Sequence, residues 1–467
     1  MSFTQSELYA HQRETAEFLR MTPKAFVTSS PGTGKTRSVL EAFSKAPERG
    51  RMLVLAPKSI LQPSWGNDIE KFTPELSYGI ATAKDRKGAF TLPNDVVITN
   101  HDAVKWVDSN ADVLQGFTTL VIDEFTAFKN RGSQRSKALN RIKAHFERRI
   151  ALSGTPNSNS ITDLWHPALV LDDGERLGNN FFRFRSATQT PTQVGPSANM
   201  MKWSDKEGSV EAVTDTLSDI TIRHKFEDCL DVPENTVRKI FTTLSPAHMS
   251  MYEDIRDNFS TVLPNGEPIT FMHAASKVKK LLQLVTGAMY DAGHLTREIH
   301  TERYELVMQL VAEREHTLVG FNYRHERNNL VALATKMKIP FGFIDGSVSD
   351  HGRTKAVEDM QAGKLQVLFA QPQSAAHGLT LTKATTTIWS SPTYNAEHFT
   401  QFNNRVYRAG QTNKTETILI AAKDTHEEHV YDVLNSKVEN MDVLLDLFKQ
   451  LTNARRPNDN LQEEVRR

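Results

Sequence analysis

The chain lacks features that mark several large classes of protein. Its 467 residues include one cysteine, Cys229, so neither an internal disulfide nor a cysteine-rich zinc site can form. No apolar run approaches the roughly 18 residues that a membrane span requires, and residues 1–7 lack the basic-then-apolar order of a secretory signal. We therefore expect a monomer without a membrane partner, in the cytoplasm, or in the host cytoplasm if a phage encodes it.

The chain also lacks net charge, because 56 Lys and Arg balance 56 Asp and Glu. This balance excludes a protein that holds nucleic acid by a uniformly basic surface. It does not exclude a nucleic-acid-binding protein whose cations are concentrated along one part of its surface. A hydrophobic content of 39% is ordinary for globular proteins, so disorder is excluded as the dominant state.

Two blocks of the sequence alternate short apolar strands with amphipathic stretches, which is typical of parallel-sheet α/β domains. The predicted strands are 25–28, 52–55, 96–98, 119–122 and 150–152 in the first block, and 318–321, 341–344, 367–370, 387–389 and 417–420 in the second. They are apolar on both faces, as strands buried between helix layers must be.

The region between the blocks is less regular, with polar loops and helical patterns such as Val278–Val285. The predicted domains are a first lobe at 1–230 with a helical insertion after about 172, a linker and helical insertion at 231–303, a second lobe at 304–450 and a polar tail at 451–467.

A phosphate-binding loop is predicted between the first strand and a helix. It consists of Ser29, Ser30, Pro31, Gly32, Thr33, Gly34, Lys35 and Thr36. Glycines let the backbone N–H groups face phosphate oxygens, while Lys35 reaches the β- and γ-phosphates and the Thr36 hydroxyl ligates Mg²⁺. Ser29 stands where the strict pattern has Gly. The alternative is a glycine-rich turn with an incidental Lys-Thr.

Two carboxylates, Asp123 and Glu124, follow the apolar run Leu120–Ile122. An apolar strand that ends in Asp-Glu is common by itself, but downstream of a phosphate loop it has a specific meaning. Asp123 is predicted to hold the metal, and Glu124 to orient and deprotonate the attacking water. The predicted cofactors are therefore ATP and Mg²⁺.

Other segments surround these two motifs in a fixed order. They are Tyr9–Gln12, Leu55–Leu61 with Trp65, Ile98–His101, Asp123–Asn130, Leu152–Asn157 with Leu164 and Trp165, Arg223–Lys225, Leu230–Glu234 and Leu244–Pro246. This order resembles the superfamily 2 helicases, and the last three segments resemble the Swi/Snf-type double-stranded DNA translocases among them. The resemblance implies that Gln12 reads adenine. It also implies DNA contacts from Pro57, Lys58, Ser59, Thr99, Asn100, Ser153 and Thr155.

The second block continues the resemblance. It contains Asp345–Ser347, Gln371–Leu381 and Gln401–Gln411. Here the resemblance implies a nucleotide contact from Gly378, a DNA contact from Thr380 and arginine fingers from Arg405 and Arg408. A spacing of three predicts that the two arginines share a helix face, from which they would neutralise charge on the γ-phosphate. The alternative is a solvated basic turn.

The implied fold is two RecA-like parallel-sheet lobes with helical insertions between them. The implied function is a motor that moves on double-stranded DNA, with ATP hydrolysed at the cleft between the lobes. Two alternatives are a helicase or an annealing or branch-migration remodeller acting on forked or branched DNA, and a non-hydrolysing DNA-binding regulator. Thr126 stands where the family usually has His, which puts the coupling between hydrolysis and the second lobe in doubt.

Four remaining features have simpler explanations. The cations Arg131, Arg135, Lys137, Arg141, Lys143, Arg148 and Arg149 form either a solvated helix face or a DNA-facing surface. His426–His429 contains ligand-type residues, but no further His/Cys cluster indicates zinc. The aromatic side chains of Trp389, Phe399 and Phe402 are expected in the core, and Cys229 lacks the partners of a nucleophile.

Overall fold

The computed structural model describes residues 7–47, 49–154, 160–194, 200–229, 232–258, 260–262, 268–270, 274–290, 296–375, 379–393 and 395–436. The described residues divide into two compact units, which lie within Met1–Asp231 and Val232–Ser436. We call these units lobe 1 and lobe 2. Among the described residues, no helix combines the length and hydropathy of a membrane span.

Lobe 1 is built on a seven-stranded parallel sheet. Its strands in chain order are β1 Lys24–Val27, β2 Arg51–Ala56, β3 Tyr78–Ala81, β4 Val96–Asn100, β5 Phe117–Ile122 and β6 Arg148–Leu152, then the hairpin strands β7 Gln189–Gln193 and β8 Met201–Asp205, and last β9 Thr221–Ile222. The sheet order is β3-β4-β2-β5-β6-β1-β9, and β7 pairs with β8 as a separate antiparallel hairpin.

Helices pack around this sheet. They are α1 Ala10–Met21, α2 Lys35–Ser44, α3 Asn67–Phe72, α4 Arg86–Thr91, α5 Val104–Ser109, α6 Gln134–Ile142, α7 Trp165–Asp172, α8 Phe181–Thr188, α9 Ser209–Leu217 and α10 Phe226–Cys229. Alternate residues of β2 enter two different cores, with Leu53 and Leu55 in one and Met52 and Val54 in the other. The strand is therefore buried on both faces, which explains its continuous apolar sequence.

Lobe 2 contains a six-stranded parallel sheet of order β10-β19-β18-β15-β17-β16 and two hairpins, β11–β12 and β13–β14. Its strands are β10 Asn235–Thr242, β11 Ser260–Val262, β12 Pro268–Thr270, β13 Ala288–Tyr290, β14 Thr296–Glu298, β15 Thr317–Gly320, β16 Phe341–Ile344, β17 Val367–Ala370, β18 Thr386–Trp389 and β19 Thr415–Ala422. Its helices include α11 Pro246–Asn258, α12 Ala274–Val285, α13 Glu302–Ala312, α14 Arg324–Lys336, α15 Asp350–Gln361, α16 Pro372–Ala375 and α17 Ala396–Asn403.

The two parallel sheets confirm the predicted fold class, and all ten predicted strands are present. The region between the blocks differs from the prediction of a linker and helical insertion at 231–303, because this region contains β10. Among the described strands, β10 pairs with β19 alone and so forms an edge of the lobe 2 sheet. Val237 and Phe241 of β10 are 56% and 50% exposed, so this edge strand is not buried on both faces. Its sequence therefore lacks the continuous apolar pattern of a central strand. The predicted tail at 451–467 lies outside the described residues.

Candidate nucleotide site

The predicted phosphate loop joins β1 to α2 in lobe 1. Gly32 and Gly34 have φ angles of 86° and 78°, in the left-handed region that glycine adopts at little cost. Gly34 is the N-cap of α2, so the loop delivers its backbone directly to the helix N-terminus. The N-terminus of a helix favours anions, because its first N–H groups have no carbonyl partner within the helix and the helix dipole is positive there.

The side chain of Lys35 folds back over this loop. Its Nζ donates to the carbonyl oxygens of Ser29 at 2.9 Å and Ser30 at 3.2 Å. Two hydrogen bonds connect the loop to His224, which lies two residues after β9. The Ser30 N–H donates to the His224 carbonyl, and the His224 N–H donates to Ser29 Oγ, each at 3.0 Å. A phosphate would offer Lys35 a charged acceptor in place of neutral carbonyls, which makes the stronger hydrogen bond.

Gln12 supports the loop from α1. Its Nε2 donates to the Thr33 carbonyl at 3.3 Å, and its Oε1 accepts from the Tyr9 N–H at 3.2 Å. His11 Nε2 lies 2.9 Å from the same Thr33 carbonyl oxygen. The amide of Gln12 is therefore engaged with backbone, and its reading of adenine stays a prediction.

A cavity of about 560 Å³ opens beside these side chains. Tyr9, His11, Glu14, Arg223 and His224 are among the residues that line it. The rings of Tyr9 and His11 are stacked, with centroids 5.8 Å apart, so the wall includes flat aromatic surface of the kind that accepts a planar base. Sequence reasoning missed His11 and His224 as site residues, because their positions around the loop depend on the fold.

The two carboxylates follow β5, in the same parallel sheet as β1. Asp123 is only 6% exposed, and its Oδ2 accepts a hydrogen bond from Trp65 Nε1 at 2.9 Å. Its Oδ1 accepts from the Glu124 N–H at 3.0 Å. Burial raises the pKa of Asp123 above its ordinary value, against the opposing effects of the Trp65 hydrogen bond and the positive charge of Lys35.

Glu124 lies at a strained turn. Its φ of 50° is in the left-handed region, which costs a non-glycine residue about 1 kcal/mol or more. His101, which directly follows β4, fixes this turn, because its Nε2 lies 2.7 Å from the Asp123 carbonyl oxygen. Burial lowers the pKa of His101 to about 4, so its ring is neutral at physiological pH. Trp65 and His101 occur in the quoted motifs, but sequence reasoning gave them no role here.

The residues present fit Mg²⁺. The Thr36 hydroxyl and the Asp123 carboxylate are hard oxygen donors, which this ion prefers. Within the described ranges, no group of three His, Cys, Asp or Glu side chains is gathered as a metal cage.

The two arginines of lobe 2 converge, but not on a helix. α17 ends at Asn403, so the prediction that Arg405 and Arg408 share a helix face is wrong. The turn after α17 brings them together instead, and both donate to the Leu379 carbonyl, Arg405 Nη1 at 3.1 Å and Arg408 Nη1 at 2.8 Å. Gly378, the predicted nucleotide contact beside Leu379, lies outside the described residues.

The predicted DNA contacts fall into exposed and buried groups. The side chains of Lys58 and Thr380 are exposed, those of Pro57, Ser59 and Asn100 are half-buried, and those of Thr99 and Ser153 are buried. Thr99 Oγ1 donates to the Ala81 carbonyl inside the sheet at 2.7 Å, so this hydroxyl is not available to DNA in this conformation. Thr155 lies outside the described residues, and the DNA role of the others stays a prediction.

The basic run after the carboxylates is used mostly within lobe 1. Arg141 pairs with Asp108, Lys143 and Arg149 pair with Asp173, and Arg148 donates to the Arg20 carbonyl at 3.2 Å. The run is therefore neither a plain solvated face nor a free DNA surface. Arg131 differs from these residues, because its guanidinium lies 4.2 Å from the ring centroid of Phe181.

Two other features of lobe 2 have structural roles. Glu427 is fully buried in an ion pair with Arg303, whose Nη2 lies 2.6 Å from Glu427 Oε2. The segment His426–His429 therefore contributes a structural anchor. Trp389, Phe399 and Phe402 pack together with ring centroids about 5 Å apart, which confirms their place in the core.

Comparisons with known proteins cover most of the chain. A family model described as the SNF2-related domain matches residues 11–302, and one described as the helicase conserved C-terminal domain matches residues 302–410. Protein p41 of Acyrthosiphon pisum secondary endosymbiont phage 1 is 28% identical over 448 residues, which are 91% of this chain and 95% of that protein.

A second relative is an uncharacterized ATP-dependent helicase of Mycoplasma pneumoniae, 24% identical over 90% of this chain and 40% of its own length. The chain spans 40–46% of this relative and of other bacterial and eukaryotic ones. A solved SWI2/SNF2 ATPase core of Sulfolobus solfataricus in complex with dsDNA is 21% identical, covers 99% of this chain and 97% of that chain, and superimposes with a TM-score of 0.44.

Proposed function

Because the chain belongs to the SNF2-related family of helicase-type ATPases, we propose that it is a motor that moves along double-stranded DNA as it hydrolyses ATP. The observation that carries this proposal is the geometry of lobe 1. A phosphate loop with Lys35 and a turn with Asp123 and Glu124 lie in one lobe, close enough that the charge of Lys35 acts on Asp123.

Each residue of this site has a chemical task. Lys35 and the N-terminus of α2 bind the phosphates, and Thr36 with Asp123 would hold Mg²⁺. The ion, when bound, neutralises charge that develops on the phosphate oxygens. Glu124, held in position by its strained turn, orients water and takes its proton. Arg405 and Arg408, already converged on one carbonyl, would add positive charge at the γ-phosphate.

Support for duplex DNA as the track comes from the family match and from the dsDNA named for the Sulfolobus protein. Contacts to the phosphate backbone carry no base sequence, so we expect little sequence preference and strong salt dependence. The exposed Lys58 and Thr380 are the best placed of the proposed DNA contacts.

A steady-state ATPase assay tests this proposal. We expect blunt duplex DNA to raise kcat at least tenfold, and Lys35→Ala to lower the stimulated rate by about 100-fold or more, because transition-state stabilisation by a charged group is removed. Lys45→Ala is a matched control, because Lys45 lies at the end of α2 and pairs with Glu41 on the surface. No rise in hydrolysis on addition of duplex DNA would refute the proposed track.

A second candidate is the remodelling of forked or branched DNA by the same motor. It is favoured by a surface of lobe 1 on which the exposed Phe182 ring lies beside the guanidinium groups of Arg131 and Arg185. ATPase stimulation far above that of blunt duplex, when a fork is supplied, would distinguish this activity from simple translocation.

A further inference from the structure

Five side chains of lobe 1 form a continuous cluster, which we name the aromatic–arginine patch. They are Arg131, Phe181, Phe182, Arg185 and Trp203. The guanidinium carbon of Arg185 lies 3.9 Å from the ring centroid of Trp203 on β8, and that of Arg131 lies 4.2 Å from Phe181 and 5.0 Å from Phe182. Cation–π contacts of this length fix the planes of the charged groups against the rings.

One ring of the patch is open to solvent. Phe182 is 60% exposed, whereas Phe184, two residues further along α8, is completely buried. α8 therefore anchors its core side and presents Phe182 outward. Val194, Met200 and Met201 on the adjoining hairpin are also exposed, at 59%, 48% and 41%. Apolar surface of this kind outside the core commonly marks a binding site.

The segment that contains most of the patch has an excess of positive charge. Residues 181–206 contain Arg183, Arg185, Lys202 and Lys206 against Asp205 alone, which gives 4 − 1 = +3 in a chain of zero net charge. In the described part of the chain, neither Arg131 nor Arg185 forms an ion pair, whereas Arg135 and Arg141 of the same lobe do. Asp205 is already engaged, since it accepts a hydrogen bond from Gln189 at 2.7 Å.

An exposed aromatic ring beside guanidinium groups that form no ion pair with any described residue matches the chemistry of single-stranded nucleic acid. A base can stack on a ring only when it is not stacked within a duplex, and the adjoining phosphates need cations. We propose that the aromatic–arginine patch binds a single-stranded segment of DNA, with an unpaired base on Phe182 and a phosphate beside Arg131. This inference rests on the proposed function, since it adds a single-stranded arm to the duplex track.

Binding of two fluorescent DNA probes to the full chain, measured by anisotropy without nucleotide, tests the inference. One probe is a blunt duplex, and the other is the same duplex with a single-stranded oligo-dT arm. We expect Phe182→Ala to weaken binding of the armed duplex about tenfold, as loss of a base-stacking side chain does, and to leave blunt-duplex affinity and blunt-duplex ATPase stimulation unchanged. Phe182→Tyr, which keeps the ring, should bind like the wild type.

Phe241→Ala is a matched control, because Phe241 is a phenylalanine that is 50% exposed and belongs to β10 of lobe 2 instead of the patch. It should leave binding of both probes unchanged. Arg131→Gln should reduce the slope of log K against log salt for the armed duplex by about 0.7, the value for one phosphate contact on a single strand, whereas Phe182→Ala should leave that slope unchanged.

The inference is overturned if Phe182→Ala binds the armed duplex as tightly as the wild type, or if it weakens both probes equally. Since these measurements need no ATP, they remain decisive when duplex DNA fails to stimulate hydrolysis. A normal ATPase response to blunt duplex with no effect of Phe182→Ala would remove the patch alone and leave the proposed motor function intact.

Discussion

Trp65 donates a hydrogen bond to Asp123, the carboxylate that we propose as a ligand of Mg²⁺. Its indole N–H donates to Asp123 Oδ2 at 2.9 Å and favours the ionised form of a carboxylate whose pKa burial raises. We expect Trp65→Phe to raise the pKa of Asp123 further, since the charged form loses a hydrogen bond worth about 1.5–3 kcal/mol. The acid limb of the kcat profile should move to higher pH, and the Mg²⁺ concentration for half-maximal ATPase rate should rise about tenfold.

Trp106→Phe is the control for this change, because Trp106 is a half-buried tryptophan of lobe 1 that packs against Phe90. It should alter neither the pH profile nor the Mg²⁺ requirement. Identical profiles for Trp65→Phe and the wild type would show that the indole hydrogen bond does not tune Asp123.

Trp65 and Asp123 show which single residues of the site the sequence can and cannot reveal. Asp123 and Glu124 could be found, because a chemical motif places them next to each other after an apolar strand. Trp65 lies 58 residues away and meets Asp123 only through the fold, and no local pattern encodes that hydrogen bond. The roles of His11 and His224 at the phosphate loop escaped prediction for the same reason.

The helices α2 and α9 of lobe 1 each begin after a glycine with left-handed backbone, Gly34 and Gly208. The two glycines differ in what an added Cβ would contact. A Cβ on Gly34, before α2, would lie 2.2 Å from Gln12 Nε2, whereas a Cβ on Gly208, before α9, would meet no atom within 4 Å. Both changes to Ala introduce left-handed strain of about 1 kcal/mol. We expect Gly34→Ala to destabilise lobe 1 by a further ~1 kcal/mol, measured by thermal unfolding, because the Gln12 amide must move away and loses its hydrogen bond to the Thr33 carbonyl.

Removal of the obstructing side chain provides the cross-check. In a Gln12→Ala background, Gly34→Ala should cost no more than Gly208→Ala, because only the backbone strain remains. Equal unfolding temperatures for Gly34→Ala and Gly208→Ala in the wild-type background would contradict this account of how Gln12 packs on the loop.

Elements with a strong local signal were predictable, and those defined by their neighbours were not. β2 has a continuous apolar sequence because it is buried on both faces, so it could be recognised. β10 forms the edge of a sheet, and its partner β19 begins 180 residues later. A spacing of three suggested a helix for Arg405 and Arg408, but α17 ends before them and a carbonyl at Leu379 brings them together.

For the whole molecule, the balance of charge conceals an uneven distribution. Much of the basic run after the carboxylates is consumed within lobe 1, as the pairs of Arg149 and Lys143 with Asp173 show. A net +3 is concentrated at residues 181–206. The zero total therefore says little about nucleic acid, because a motor's grip depends on where its cations lie.

Buried neutral histidines in both lobes predict that the folded protein is sensitive to mild acid. Burial lowers the pKa values of His101, His166, His300 and His325 from 6.5 to about 4. Between pH 6.5 and about 4 the unfolded chain binds protons that the folded chain does not, so stability is lost as pH falls through this window. Each histidine contributes up to about 3 kcal/mol, at 1.36 kcal/mol per pKa unit.

Thermal unfolding recorded from pH 7 to pH 4.5 measures this effect. We expect the unfolding temperature to fall throughout this range and to fall less steeply in His166→Gln, whereas replacement of the exposed His351 should leave the slope unchanged. Asp173 does not act in this window, because its hydrogen bond with Arg149 holds its pKa at about 2 and its stabilising effect is lost only in stronger acid. A constant unfolding temperature between pH 7 and pH 4.5 would contradict this account, because it would mean that the folded and unfolded chains bind protons equally well in this range.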